Sequence, residues 1–174
     1  MLDWFELTSV AEESIGESPD RVFKVVLHIY LDERDNRTDE TSYLRPNGFT
    51  EETTIKDFPA RDRKVVLHVR RRCWFDENNS NCIMNVYNLA VSGTRYSEGF
   101  AEFLKKNLDT TPVTTRLLGC YYMTDGDALE KAYKNILSDY KTWDQKDHSS
   151  ERILLHDNIG KRLSIDETFR GISS

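Results

Sequence analysis

The 174-residue sequence predicts an α+β protein: a small antiparallel β-sheet at the front and a helix-turn-helix-like helical middle. Three observations carry this. Apolar residues alternate with period two through much of the stretch from Val22 to Phe75. Beyond Gly93 the apolar period becomes helical. Pro46-Asn47-Gly48 and Met123 to Gly126 fall where one pattern gives way to another.

Val22 to Asp32 is rich in β-branched and aromatic residues, with Phe23, Val25, Leu27, Ile29 and Leu31 on one face, and predicts a strand. Glu33 to Gly48 is polar, closes in a Pro-Asn-Gly turn and predicts a mobile loop. Glu51 to Phe58 predicts a short strand stopped by Pro59. Lys64 to Phe75 predicts a third strand. Val65, Leu67, Val69, Cys73 and Phe75 share one of its faces, interrupted by Arg71; Lys64, His68, Arg70 and Arg72 share the other with Val66 and Trp74. Asp76 to Ser80 reads as a hairpin connection, and Ile83 to Val91 as a fourth strand.

Behind Ser97, a good N-cap, Phe100, Phe103, Leu104 and Leu108 follow helical spacing. Pro112 opens a second short helix carrying Leu117, Leu118, Tyr121 and Tyr122. Met123 to Gly126 breaks it, and a third helix places Leu129, Ala132, Tyr133, Ile136, Leu137 and Tyr140 on one stripe read as core. Two short helices around a Gly-containing turn match a helix-turn-helix pattern. Trp143 to Glu151 reads as a polar linker or short helix, and Arg162 to Thr168 as a strand.

The net charge of −6 does not exclude a nucleic-acid partner, because phosphate affinity depends on local patches. Arg61, Arg63, Lys64, Arg70, Arg71 and Arg72 form such a patch against the single acid Asp62. Cys73, Cys82 and Cys120 form no CxxC pair and read as reduced thiols, Cys120 as a buried one. His28, His68, His148 and His156 share no metal-ligand spacing and receive no site role. No apolar run approaches membrane-spanning length. The chain therefore reads as soluble and cytoplasmic, with no membrane partner and no small-molecule substrate.

Several stretches, in order, resemble the N-terminal region of bacterial insertion-sequence transposases of the DDE class. They are WFELTSV from Trp4, LHIYLDE from Leu27, GFTEETTIKDFPARDRKVVLHVRRRCW from Gly48, GTRYSEGFAEFLKK from Gly93, LSDYKTW from Leu137 and DNIGKRLSIDET from Asp157. The resemblance covers the chain from about residue 2 to residue 168. The resemblance implies a β-rich N-terminal domain of DNA-binding type over residues 1–92 and a helical, helix-turn-helix-like domain over 93–142. Residues 143–174 would be a linker and the truncated start of an RNase H-like catalytic domain, a C-terminal stub strand. It also implies that double-stranded DNA, the element's ends, is the partner, with full-length transposase or a second copy beside it, in a bacterial, nucleoid-associated setting. Asp166 corresponds to the family's first catalytic aspartate. Relatives with a zinc-binding front end use paired cysteines, so a sheet that needs no zinc is expected here. The pattern stops at Phe169, consistent with truncation.

DDE chemistry needs three carboxylates converging on two metal ions. Adjacent strand residues point to opposite faces, so Glu167 does not assist Asp166. The full-length family would use Mg²⁺; no cofactor, no metal site and no enzymatic activity are expected of this chain alone. Arg61 to Arg72 either contacts phosphates or is a solvated strand edge. Arg116, Lys131 and Lys134 would add phosphate contacts from the second and third helices, although Asp125, Asp127 and Glu130 at the start of the third repel phosphate. The expected function is DNA binding without transposition. The alternative is an interaction module completing a separately encoded catalytic chain, with a competent nuclease a third reading.

Overall fold

The computed structural model describes residues 3–16, 22–84 and 88–138. Among them the architecture is mixed α+β, with two small sheets and three α-helices. The first sheet is four-stranded, in the order β1 (Phe5–Ser14), β2 (Val25–Glu33), β5 (Arg63–Arg70), β4 (Thr53–Ala60). The second joins β3 (Arg45–Phe49), β6 (Arg72–Phe75) and β7 (Asn81–Ile83). No described helix is long and apolar enough to cross a membrane.

The expected all-antiparallel sheet is corrected at its centre. β1 with β2 and β4 with β5 are antiparallel, but β2 and β5 run parallel, Leu27 opposite Val65 and Leu31 opposite Val69. A parallel pair needs a connection of a dozen or more residues, and the 29 residues between Glu33 and Arg63 supply it. Both central strands alternate. Leu27, Ile29, Leu31, Val65, Leu67 and Val69 share an apolar face with Ile55 of β4, and Leu89 packs against it. The opposite, polar face carries His28, Tyr30, Asp32, Thr54, Lys56, Lys64, His68 and Arg70.

Other departures follow from contacts between segments distant in sequence. β1 escapes the period-two reading because nine of its ten residues are exposed, leaving no buried stripe to alternate. The predicted loop holds a 3₁₀ turn at Asp39–Thr41 and the strand β3. β4 continues through Pro59 to Ala60: an edge strand tolerates the missing N–H, and the register shifts between Asp57 and Ala60. The long third strand is two strands. Thr50 N donates to Arg71 O at 2.8 Å and Thr50 Oγ1 accepts from Arg71 N at 3.0 Å, so the chain leaves the first sheet there and enters the second. This break buries Trp74, predicted on the basic face with Lys64, His68 and Arg70, together with Cys73. The Asp76–Ser80 turn forms as read, with the Asp76 carboxylate accepting from Asn78 N and Ser80 N. β7 covers Asn81–Ile83 and Ala90 makes an isolated bridge to Ser97, while residues 85–87 of the expected Ile83 to Val91 strand lie outside the described residues.

α1 (Glu98–Thr110) is capped by Ser97, whose Oγ accepts from Phe100 N, as its sequence suggests. α2 (Thr115–Tyr122) begins after Pro112 with Thr114 as its cap and ends at Met123, left-handed at φ 47°. Cys120 is exposed on it, not buried. α3 (Gly126–Ala132) passes into a π-turn at Tyr133–Leu137. That wider turn breaks the 3.6-residue stripe, so Leu129 and Ala132 are buried while Ile136 is exposed. α2 and α3 meet through glycine: a Cβ at Gly119 would lie 2.9 Å from Thr124 O, and one at Gly126 2.9 Å from Arg116 Cα. Phe100, Leu104, Leu118 and Leu129 fill the helical core. At about 2 kcal/mol per buried side chain, this outweighs the ~1 kcal/mol of each cap. The expected Arg162 to Thr168 strand, the linker before it, Tyr140 and Asp166 lie outside the described residues.

The two sheets join at Glu33, only 1% exposed. Its Oε2 accepts from Arg72 N at 2.8 Å, its Oε1 from Asn36 Nδ2 at 2.7 Å, and its backbone carbonyl from Arg72 Nε at 3.2 Å. Replacing Glu33 with Ala strands the Arg72 N–H and the Asn36 amide in the interior, and we expect a loss of about 3 kcal/mol. Urea unfolding of the purified variant checks this; a loss below about 1 kcal/mol would contradict the assigned role.

Candidate nucleic-acid interface

The predicted arginine patch is dispersed. Arg61 sits exposed at the β4–β5 turn with φ 59°. Arg63 lies on the same face as Val65 and pairs with Glu12 and Asp62, each at 2.9 Å. Arg70 lies on the polar face in a two-pronged pair with Asp32, at 2.8 and 2.5 Å. Arg71 stands at the strand break, and Arg72 is held by Glu33. Arg70 and Arg72 both lie over the Phe49 ring, 5.1 and 4.8 Å from its centroid. Exposed pairs such as Arg70–Asp32 are worth only about 0–1 kcal/mol, so energy does not bar a phosphate from displacing them. Charge does: an arginine beside its own carboxylate presents little net attraction.

Of the helical candidates, Arg116 is exposed on α2, and Lys134 in the π-turn pairs with Glu130 at 2.5 Å. Lys131 on α3 is different. It faces a cleft of about 570 Å³ lined also by Lys56 of β4, Thr94, Arg95, Asn135 and Ile136. Lys56 and Arg95 are brought together by backbone pairing. Lys56 N donates to Arg95 O at 2.7 Å, and Ser97 N donates to Lys56 O at 2.9 Å, so residues 95–97 extend the sheet edge beyond β4. Ser97 Oγ also donates to Asp57 Oδ1 at 2.6 Å, locking the start of α1 to the same strand. Gly93 forms the rim with φ 79°, and a Cβ there would lie 3.0 Å from Ile136 Cδ1.

Lys56 Nζ donates to Thr124 Oγ1 at 3.0 Å and lies 5.7 Å from the centre of the Tyr96 ring. Tyr96 Oη and Thr124 Oγ1 are 3.0 Å apart. Burial pushes the Lys56 ammonium below the ordinary lysine range; Asp125 pulls it back up, and Arg95 presses it further down. Lys64, next along the polar face, is lowered by burial and then by the charge of Lys56. Among the described residues Lys56, Lys64, Arg95 and Lys131 form no ion pair with a carboxylate. The nearby acid is Asp125, which caps α3 by accepting from Asp127 N and Ala128 N at 2.9 and 3.0 Å. Those two bonds hold its carboxyl below the usual range, with Lys56 and Lys131 adding to the effect.

The cleft thus gathers Lys131, which the sequence singles out, with Lys56 and Arg95, which it does not. Lone cations 39 residues apart carry no local signal; only the pairing of β4 with residues 95–97 joins them. No protein-family model matches this chain, and neither a curated protein nor a solved structure matches it.

The ammonium forms of Lys56 and Lys64 are the forms that attract an anion, and both deprotonate below the 10.5 of an unhindered lysine. Polyphosphate affinity is therefore expected to fall as pH rises toward that value. In Lys56→Arg, whose guanidinium stays charged, the fall should be shallower. Isothermal titration calorimetry over the alkaline range checks this, and identical pH profiles for both proteins would contradict it.

Proposed function

We propose that this chain is a DNA-binding module that grips the sugar-phosphate backbone in the cleft between β4 and α3, and that it catalyses no strand transfer by itself. The observation that carries the proposal is the group of Lys56, Arg95 and Lys131, three cations without a carboxylate partner lining an open cleft, with Lys64 near enough to Lys56 to feel its charge. Phosphate contacts of this kind position a protein on a duplex without reading its sequence. The ordered resemblance to the front part of insertion-sequence transposases supports DNA, specifically element ends, as the polyanion. The short turn between α2 and α3 supports reading them as a helix-turn-helix. In that reading Lys131 meets phosphate, while Asp125 and Asp127 at the start of α3 disfavour base contacts by that turn.

The second reading, an interaction module for a separately encoded catalytic chain, is favoured by the exposed apolar side chains Trp4, Leu7 and Val10 along the sheet's β1 edge. Fluorescence anisotropy with terminal-repeat and scrambled duplexes over a salt series separates the two. DNA binding predicts affinity that falls with salt. The Lys56→Ala/Arg95→Ala/Lys131→Ala variant should bind about tenfold more weakly or worse, with the salt slope reduced by roughly one per lost phosphate contact. Arg70→Ala/Arg71→Ala/Arg72→Ala should change affinity by less than about twofold. No binding even at low salt, or a loss confined to the arginine variant, overturns the cleft reading.

A further inference from the structure

The polar face of the four-stranded sheet carries a second cluster of titratable groups, away from the cleft. His28 of β2 and His68 of β5 lie on neighbouring parallel strands, with Tyr30 opposite His68. Their rings meet: His28 Nδ1 is 2.7 Å from His68 Nε2. A carboxylate holds the far nitrogen of each ring. His28 Nε2 lies 3.0 Å from Glu13 Oε2, and His68 Nδ1 lies 2.5 Å from Glu52 Oε1. The row Glu13–His28–His68–Glu52 runs from β1 across β2 and β5 to the residue preceding β4. The Tyr30 ring stacks on His68 with centroids 4.4 Å apart, and the two histidine side chains are only 19% and 11% exposed.

Three hydrogen bonds in a row need three protons. An ionised carboxylate only accepts, so His28 Nε2 and His68 Nδ1 must each carry one. The middle bond needs a third, on one of the two facing nitrogens. Three protons on two imidazoles make one of them an imidazolium. With two protons, either the facing nitrogens present lone pair to lone pair or one outer nitrogen presents its lone pair to a carboxylate; with four, the facing nitrogens present N–H to N–H. In each case one of the three contacts loses its bond and becomes repulsive.

We propose that His28 and His68 share one excess proton, and that this proton is a pH-sensitive clasp joining β2 to β5. Glu13 and Glu52 favour the extra charge at hydrogen-bonding distance. The other charged and titratable groups on that face are Glu6 of β1, opposite Asp32, Tyr30 and Asp32 of β2, Lys64 and Arg70 of β5, and Lys56 of β4. Tyr30 is neutral against the His68 ring, and Asp32 and Arg70 cancel one another in their own pair. Lys64 and Lys56 oppose the proton: Lys64 stands four residues along β5 from His68 and two register positions from His28, and Lys56 stands two residues from Thr54, the partner of His68. The facing nitrogens are 2.7 Å apart, too close for both to bond one tetrahedral metal ion at about 2.0–2.1 Å each, so a proton is the cation that fits between the rings. Imidazole is also the side chain that changes charge near neutral pH, so the clasp closes within a window. Acid adds the fourth proton and alkali removes the third.

Long-range ¹H–¹⁵N spectra of the histidine rings in the full chain, recorded across pH, test this. We expect the facing nitrogens to show shifts intermediate between protonated and free within the window, and the two rings to titrate as a coupled pair. His28→Gln should move the His68 midpoint by about one pH unit or more. If that variant does not fold, the wild-type spectra alone decide. Two neutral rings of fixed tautomer at every pH, or two independent single-site curves, overturn the proposal. Added Zn²⁺ should leave both rings unchanged; zinc-induced ring shifts would assign the central position to a metal ion and overturn it as well.

Discussion

A single buried carboxylate sets the terms for the β-rich part of the molecule. Glu33 ends β2, where the first sheet runs out, and accepts from the backbone N–H of Arg72, where the second sheet begins. A carboxyl group with 1% exposure needs hydrogen-bond partners around it. Asn36 and Arg72 provide them, and each is thereby fixed. The strand break at Arg71, the burial of Trp74 and the placement of Phe49 between Arg70 and Arg72 all lie within a few residues of this point. The same arrangement commits the arginines. Arg70 pairs with Asp32 and Arg72 directs its Nε to the Glu33 backbone carbonyl, so two arginines of the most basic run in the sequence are engaged by the fold it builds.

The cations of the cleft lie elsewhere, and their placement is a matter of backbone pairing. Residues 95–97 bridge to Lys56, which aligns Arg95 with it and seats the cap of α1 on β4. Thr124, at the turn before α3, receives both the Lys56 ammonium and a bond with the Tyr96 hydroxyl. This connects the sheet edge to the helices and leaves Lys131 across the cleft from Lys56. The glycine contact between α2 and α3 keeps that turn close to the α2 backbone. A cleft assembled this way needs no long recognition helix, and α3 has only seven residues before its π-turn.

The sequence displays the parts of this structure that depend on local pattern. The alternation of Val65, Leu67 and Val69, the Ser97 cap and the break at Met123 each rest on residues within a few positions of one another. What it hides is set by distant partners. β1 is an edge strand without a buried stripe. The parallel register of β2 on β5 depends on a long connection, and Thr50 alone marks where Lys64 to Phe75 divides. Pro59 signals a stop that an edge position overrides. The candidate site divides the same way. Lys131 is legible as a helical cation, whereas Lys56 and Arg95 acquire meaning only through the bridge between their segments. His28 and His68, 40 positions apart, become a pair only through strand register.

The central claim is that the unpaired cations of the cleft, and not the arginine run, hold the phosphate backbone. Lysine footprinting by reductive methylation and mass spectrometry, with and without duplex DNA, tests it residue by residue. The account predicts that DNA slows modification of Lys56, Lys64 and Lys131, while Lys105 and Lys134, each already paired with a carboxylate, react at unchanged rates. Equal protection of all these lysines, or protection that spares the three in and beside the cleft, would contradict it.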